Sequence, residues 1–293
     1  MSWILLASCS ALLSAAAAII QKKVLFRLTA LEFSFLVSVF VLLATSFVPF
    51  SADVLAIPES QVLIIFGKSV LGGIAFLLVM LSLQHNQISS ALPLLGLTPA
   101  VTALMAMATI GEALQGWEWA GILLMIAGTY TLEKKPNQRL FEPFKTAFFS
   151  RDHYYIFGAL GLFAVSSVVD KALVSSYRVD PLVVLFYQHI TYVLVFSSAL
   201  WIQKSSMHGI LQRGKQQFPL IFAVALLTVG YRLTQLEATK IAPVALVLAI
   251  KRTSILYASF FGGRIFFDDR LRWKLVGGLL IVISGFIILR NVG

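Results

Sequence analysis

Long apolar runs alternate with short polar gaps along nearly the whole chain. An α-helix needs about 20 apolar residues to cross roughly 30 Å of hydrocarbon, so each run of that length predicts a membrane-spanning helix. The predicted spans are Ser2 to Ile20, Thr29 to Val48, Val62 to Leu83, Ser89 to Ile110, Trp117 to Leu132, Tyr154 to Ser175, Pro181 to Trp201, Phe218 to Leu236, Ala242 to Phe261 and Leu271 to Leu289.

Composition also favours an integral membrane protein. Of the 293 residues, 59% are hydrophobic and 12% are charged, whereas a soluble domain has about a quarter charged residues. The net charge of +10 does not indicate nucleic acid, because most basic residues fall in the gaps between apolar runs. The single cysteine, Cys9, can form neither an internal disulfide nor a cysteine cluster. No metal or cofactor is predicted.

The two halves of the chain resemble each other. The segment "GEALQGWEWAGILLMIAG" is similar to "FDDRLRWKLVGGLLIVISG", which aligns Glu112 with Asp268, and "AIIQKKVL" is similar to "SVVDKALV". Because each half has five predicted spans, an odd number, the second half must lie upside down relative to the first. We predict an all-α integral membrane fold with ten transmembrane helices in two inverted five-helix repeats, at residues 1–133 and 154–293, joined by a linker at 134–153.

The basic residues predict an orientation. Of the 23 Lys and Arg residues, fifteen fall on the face opposite the termini, five (Lys68 among them) on the terminal face, and three within spans. Cytoplasmic loops are enriched in Lys and Arg, so this distribution predicts that both termini lie outside the cytoplasm.

The three cations within spans are Arg232, Lys251 and Arg252. One cation at the centre of a membrane helix costs roughly 2.5 to 3.5 kcal/mol on insertion scales, so an adjacent pair needs a compensating partner. An arginine fork can hold a phosphate or carboxylate through two parallel bonds, and a lysine adds a point charge. We therefore expect Lys251 and Arg252 to bind a negatively charged solute, with Arg232 and Tyr231 assisting.

Other ionisable residues are candidates for proton coupling or for internal ion pairs. Adjacent residues project about 100° apart on a helix, so Asp170 and Lys171 are expected to find separate partners. A histidine can take up a proton near neutral pH. Alternatively, carboxylates such as Glu237 or Asp170 neutralise the interior cations, which would then be structural. The candidates are Glu237, Asp170, Lys171, His189 and His85.

Prolines are expected to bend two of the predicted helices. Pro93 and Pro99 lie in the fourth span and Pro243 begins the ninth, and each removes a backbone donor. No enzyme is predicted, because "GKS" at Gly67 to Ser69 lacks the upstream glycine of a phosphate loop, and no hydrolase motif is present.

Ten spans in two halves, each ending in a segment like "GEALQGWEWAGILLMIAG", resemble the EamA-type members of the drug/metabolite transporter superfamily over essentially the whole chain. The resemblance implies an inverted-repeat bundle with a central cavity, and cytoplasmic termini, contrary to the charge distribution. A Lys-Arg pair in the ninth span after a tyrosine in the eighth is also similar to the sugar-phosphate/phosphate translocators of this superfamily, where those residues grip the phosphate. Lys251, Arg252 and Tyr231 are the matching positions.

The leading hypothesis is a secondary active transporter that moves a small anionic or zwitterionic metabolite by alternating access, coupled to protons or to a counter-substrate. One alternative is an exporter of amino acids or drug-like compounds with structural intramembrane cations. Another is a non-transporting membrane protein whose buried cations hold a lipid phosphate. We expect a multi-pass protein of the cell inner (plasma) membrane, with membrane lipid and a small molecule as its partners and no nucleic acid.

Overall fold

The structure, a computed structural model, describes residues 2–51, 57–85, 93–133, 151–265, 276–281, 283–284 and 287. Every regular element within these residues is helical. In chain order the helices are α1 (Trp3–Val24), α2 (Ala30–Ala44), α3 (Val48–Ser51), α4 (Glu59–His85), α5 (Thr98–Ile110), α6 (Gly116–Glu133), α7 (Arg151–Lys171), α8 (Pro181–Ile202), α9 (Met207–Gln216), α10 (Phe218–Ile241), α11 (Val244–Arg252) and α12 (Ser254–Ile265). A 3₁₀ segment (Pro93–Leu97) precedes α5, and a π-helical segment (Ala172–Ser176) follows α7.

Six segments of the described chain are long and apolar enough to cross a membrane. They are α1, α2 together with α3, α4, α7, α8 and α10, and α5 and α6 are shorter apolar helices. The prediction of an all-helical integral membrane fold is confirmed. The tenth span is described at residues 276–281, 283–284 and 287 alone, so the count of ten stays a prediction. Residues 134–150 of the predicted linker lie outside the described residues.

Side-chain caps determine where several helices begin. The Ser2 hydroxyl accepts a hydrogen bond from the Leu5 amide at the start of α1. Thr29 and Glu32 form a reciprocal capping box at the start of α2, and Asp180 caps α8. These side chains satisfy backbone donors of the first turn that have no partner within the helix.

The packing of the helices repeats between the two halves. In the first half α1 packs on α10 and α11, and in the second half α7 packs on α4 and α5. Exchanging the equivalent helices α1 with α7, α4 with α10, and α5 with α11 converts one set of contacts into the other. Exchanging α2 with α8 in addition relates the contact of α8 with α4 to that of α2 with α10. The halves are therefore related by a pseudo-two-fold axis and each packs against the other.

Two lysines repeat the same contact in both halves. Near the end of α1, Lys22 donates a hydrogen bond to the Leu83 carbonyl in the last turn of α4. At the end of α7, Lys171 donates to the carbonyls of Thr239 and Ala242, at the end of α10, at 2.9 and 3.0 Å. Carbonyls in the last turn of a helix lack intrahelical donors, so a lysine from the adjacent helix stabilises each end.

The fourth and ninth spans depart from the predicted continuous helices. The described part of the fourth begins as the 3₁₀ segment, and Pro99 occupies the first turn of α5. The ninth, predicted to run from Ala242 to Phe261, is interrupted at Thr253, which separates α11 from α12. Pro243 is the N-cap of α11 and does not bend a helix interior. The interruption of the ninth span follows Arg252, which lines the cavity described next. The 3₁₀ segment of the fourth span ends just before Thr98, which accepts a hydrogen bond from Arg252.

Candidate functional site

A cavity of about 100 Å³ lies where the two halves meet. Its walls come from α2 and α4 of the first half and from α7, α8, α10 and α11 of the second. The four predicted solute-binding residues all line it: Tyr231, Arg232, Lys251 and Arg252. Residues from α10 and α11, distant in sequence from α7 and α8, are brought together because these helices surround one interior space.

Asp170 is the centre of the ionic contacts. Its Oδ1 accepts a hydrogen bond from Lys68 Nζ at 2.6 Å, and its Oδ2 accepts one from Arg232 Nη2 at 3.0 Å. Gln188 Oε1 accepts from the same two cations at 2.7 and 2.9 Å. Only 2% of Asp170 and 3% of Lys68 is exposed. A buried ion pair is tolerated when its remaining donors also have acceptors. The Gln188 amide oxygen is such an acceptor for both cations.

Lys68 was assigned to the terminal face by the charge distribution, and that assignment is wrong. Helix α4 begins at Glu59, so Lys68 lies about 14 Å along the helix axis from the first residue. Lys68 is buried at that position, and its ammonium group binds Asp170 of the other half. This pair connects the two halves inside the membrane region.

Lys251 and Arg252 have different partners. Lys251 Nζ donates to Gln235 Oε1 and lies 4.7 Å from the centroid of the Tyr231 ring, within the range of a cation–π interaction. Arg252 Nη2 donates to the Thr98 hydroxyl at 3.0 Å, at the beginning of α5 in the other half. Within the described parts of the chain, neither cation forms a salt bridge with a carboxylate of the protein.

Within the described residues, the site has more cations than carboxylates, and two of its N–H donors have no acceptor. Among the described residues of the cluster, four cations (Lys68, Arg232, Lys251 and Arg252) accompany one carboxylate, Asp170. The Nε groups of Arg232 and Arg252 are buried and have no hydrogen-bond partner in the part of the chain that the structure describes. Donors without partners in a low-dielectric interior are costly, and an anionic group with oxygen acceptors would satisfy them.

Asp170 and Lys171 point to separate partners, as their spacing predicted. Lys171 Nζ lies 3.4 Å from Glu112 Oε1, while Glu112 Oε2 accepts a hydrogen bond from the Val244 amide at 2.9 Å. Glu112 therefore caps the N-terminus of α11 from the opposite half. Lys171 belongs to this contact between helix ends and does not line the cavity.

Of the remaining candidates for proton coupling, His189 lines the cavity and Glu237 does not. His189 is buried in the cavity wall, with Nδ1 2.9 Å from the Leu185 carbonyl and its ring beside Tyr192. Glu237 does not line the cavity and pairs with Lys240 at 3.1 Å. The side chain of His85 lies outside the described residues.

The sequence-based site did not include three polar residues that hold the cations in place. Gln188, Gln235 and Thr98 accept hydrogen bonds from Arg232, Lys251 or Arg252. An amide or hydroxyl within an apolar run is inexpensive to bury compared with a charge, so it gives a weak signal in the sequence. Their roles became visible only once the helices were placed side by side.

Comparisons with known proteins agree with this architecture. The model of the EamA-like transporter family matches residues 1–133 and 153–291, one match in each half. No curated protein matches the sequence significantly. One crystal structure of a protein superposes with a TM-score of 0.63 and 16% identity, over 98% of this chain and 94% of that one. At this identity the structural likeness concerns the fold alone.

Proposed function

The chain belongs to the EamA-like transporter family of the drug/metabolite transporter superfamily, and from that premise we propose that it moves a small organic or inorganic anion across its membrane. In the proposed mechanism, Lys251 and Arg252 bind the anion in the cavity between the halves, and Tyr231 and Arg232 complete the site. The protein is a secondary active transporter, and the halves alternate between two arrangements around the bound solute.

The observation that carries this proposal is the excess of cations over carboxylates. Asp170 already binds both Lys68 and Arg232. Lys251 and Arg252 are left with neutral partners, the Gln235 amide and the Thr98 hydroxyl. Burying two such charges in a membrane interior is unfavourable unless an anion compensates them during function. A transported anion supplies that compensation.

The geometry of the donors supports an oxyanion in particular. Arg232 and Arg252 line the cavity, and among the described residues the buried Nε of each has no hydrogen-bond acceptor. A guanidinium binds carboxylate or phosphate oxygens through pairs of parallel bonds, and a lysine contributes a point charge. A small anion with two or three oxygens can accept hydrogen bonds from more than one of these groups.

Contacts between the halves support alternating access around this site. Lys68 and Thr98 belong to the first half and bind Asp170 and Arg252 of the second. Any movement of the halves relative to each other therefore changes the environment of the cations. An anion that binds both Lys251 and Arg252 can alter the balance between two such arrangements, since a ligand shifts an equilibrium by its difference in affinity for the two states.

Asp170 and His189 are the proposed coupling residues, because both line the cavity. Protonation of Asp170 would release Arg232 toward the solute, and its deprotonation would restore the ion pair. Glu237 is the weaker candidate, since it pairs with Lys240 away from the cavity.

A second candidate function is the export of neutral or zwitterionic compounds, with the cations in a structural role. The observation that favours it is that Arg232 and Lys68 are already paired with a carboxylate of the protein, Asp170. This candidate predicts that Lys251 and Arg252 can be replaced without loss of solute binding.

A thermal-shift panel on the purified protein separates the two candidates. The panel contains phosphate, succinate and glutamate as anions, and alanine and glycerol as uncharged or zwitterionic controls. A ligand that binds the folded form raises its stability by mass action, by about 2.7 kcal/mol at a hundredfold excess over the dissociation constant. We expect stabilisation by at least one anion and its loss in the double variant Lys251→Gln, Arg252→Gln. Equal stabilisation of both proteins by alanine or glycerol alone would reject the anion proposal.

A further inference from the structure

A second cavity, of about 110 Å³, adjoins the first. The two share Phe76, Phe163, Tyr231, Lys251 and Arg252 in their walls. The charged pair therefore faces both spaces, with the first cavity on one side and the second on the other. The second cavity reaches along α1 and α4 toward the ends of those helices at Val24 and His85.

The two cavities differ in chemistry beyond the wall they share. The residues that line the first alone are mostly polar and include Asp170, Gln188 and Arg232. Among the described residues, those that line the second alone are mostly apolar, such as Ala18, Val79 and Leu95. The exceptions are polar and uncharged: Ser14, Gln21 and Ser254. A ligand bound at Lys251 and Arg252 thus has polar groups on one side and an apolar space on the other.

We propose that the solute is an amphipathic organic anion, whose oxyanion head binds Lys251 and Arg252 and whose apolar tail occupies the second cavity. This inference rests on the proposed function and adds the substrate class to it. An anion without an apolar part, such as inorganic phosphate, would leave the second cavity unfilled and would gain nothing from its apolar walls.

The size of the cavity sets the length of the tail. An apolar protein cavity of about 150 Å³ accommodates benzene, so a space of about 110 Å³ suits a short alkyl chain of similar or smaller volume. Each methylene that moves from water into such a space contributes about 0.8 kcal/mol, which is about a fourfold gain in affinity. Two additional methylenes should therefore strengthen binding by roughly fifteenfold, until the space is full.

The test is equilibrium dialysis of labelled n-alkyl anions against the protein in lipid nanodiscs, with binding to empty nanodiscs subtracted. One series consists of butyrate, hexanoate and decanoate, and the other of the corresponding alkyl phosphates, so that the two kinds of head are distinguished. The measured quantity is the affinity ratio of the six-carbon to the four-carbon member. We expect a ratio of roughly fifteen in whichever series binds, and little further gain for the ten-carbon member.

Larger side chains in the wall of the second cavity should abolish the preference for the six-carbon anion over the four-carbon anion. Ala18→Leu places a larger side chain in its wall, and Ala258→Val does so from α12 if the first variant does not fold. The matched control is Ala16→Leu, the same substitution on the same helix at a position that lines neither cavity. The expected ratio falls to near one in the filled variants and stays unchanged in the control.

Three outcomes would overturn the inference in different ways. If no acid or phosphate of any length binds above empty nanodiscs, the anion site itself fails and the proposed function fails with it. If the six-carbon and four-carbon anions bind the unaltered protein equally well, the anion site is supported, but the second cavity does not bind the apolar tail. If the ratio is large but persists when the cavity is filled, the tail binds somewhere else.

Discussion

Asp170 is the acidic residue on which the other charges of the cluster depend. It compensates Lys68 and Arg232 at 2.6 and 3.0 Å, while nearly all of its own surface is buried. Removing one partner of a buried ion pair is far more costly than the net value of the pair, because the remaining charge keeps its desolvation penalty. At this site two cations would lose their counter-charge at once.

We predict that Asp170→Asn lowers the stability of the purified protein by about 3 kcal/mol or more, measured as the midpoint of thermal unfolding in a fixed detergent. The matched control is Glu237→Gln, which removes a carboxylate from the partly exposed pair with Lys240. That change should cost less than about 1 kcal/mol. Equal midpoints for the two variants would show that Asp170 does not stabilise the buried cations.

The residues of the site could be predicted when their own chemistry was unusual for their position. Arg232, Lys251 and Arg252 were recognisable because a cation within an apolar span is costly to bury unless a partner or a ligand compensates its charge. The partner of Lys68 was not predictable, since Asp170 lies 102 positions away along the chain. Glu237 lies five residues after Arg232 in sequence, but residues five apart lie about 140° apart around a helix, so the two side chains do not face each other. Its actual partner is Lys240, three positions away.

The start of α11 is a helix end that the other half stabilises. Pro243 precedes the helix and its side chain makes no cap, so the Val244 amide donates to Glu112 Oε2 at 2.9 Å. Glu112 belongs to the turn between α5 and α6. Because α11 carries Lys251 and Arg252 in its last turn, this cap helps to hold the position of the charged pair.

We expect Glu112→Ala to release the first turn of α11. Loss of a cap costs about 1 kcal/mol, so amide hydrogen exchange at residues 244–247 should accelerate several-fold. The control is Glu118→Ala, which removes the carboxylate that accepts from the Gln115 amide at the start of α6. It should leave exchange at residues 244–247 unchanged. An unaltered exchange rate in Glu112→Ala would mean that the cap does not stabilise α11.

Gly128 allows α6 to pack closely against residues 277–281. A Cβ atom at this position would lie 2.9 Å from the Gly277 carbonyl oxygen, and the backbone there cannot move as a flexible side chain can. A Cβ atom added to Gly161 on α7 would have no atom of the described residues within 4 Å. The two glycines therefore differ in packing while both occupy helix interiors.

Gly128→Ala should lower the midpoint of thermal unfolding by an amount equivalent to about 1 to 3 kcal/mol, the usual cost of overpacking. Gly161→Ala should keep or raise the midpoint, because alanine favours helices by up to about 1 kcal/mol. If both variants were equally stable, the contact of Gly128 with Gly277 would be looser than the structure indicates.

The helices themselves were largely predictable from the spacing of apolar runs, but their interruptions were not. Apolar residues lie on both sides of the polar residues 251–254, and no proline or glycine marks a break there, so the sequence predicted one helix from Ala242 to Phe261. The break separates α11 from α12 beside Arg252, which bonds to the other half. Helix α9 was missed because its ten residues fall below the length of a membrane span. Tertiary contacts decide both features.

The order of the predicted spans assigns most basic residues to loops on the face opposite the termini. With Lys68 in the interior, the basic residues divide fifteen to four in favour of the face opposite the termini. The charge rule therefore still predicts termini outside the cytoplasm, while the family resemblance implies the reverse. The repeat was predictable because the halves share sequence, whereas the orientation depends on the membrane and its insertion machinery.

Labelling of single cysteines tests the orientation. In a Cys9→Ser background, His208→Cys lies on α9, on the basic face, and Ser2→Cys lies on the terminal face. With a membrane-impermeant maleimide on intact cells, we expect Ser2→Cys to be labelled and His208→Cys to be protected until the membrane is opened. The opposite pattern would place the termini in the cytoplasm.

The central claim is that Lys251 and Arg252 bind the anion that the protein carries. Uptake into proteoliposomes tests it most directly, using the labelled anion that gives the largest thermal shift. The proteins compared are the unaltered chain, the double variant Lys251→Gln, Arg252→Gln, and Lys240→Gln as a variant lacking a cation outside the cavity. We predict that uptake by the double variant falls to the level of empty liposomes while Lys240→Gln transports normally. Uptake by the folded double variant at the rate of the unaltered protein would contradict the account.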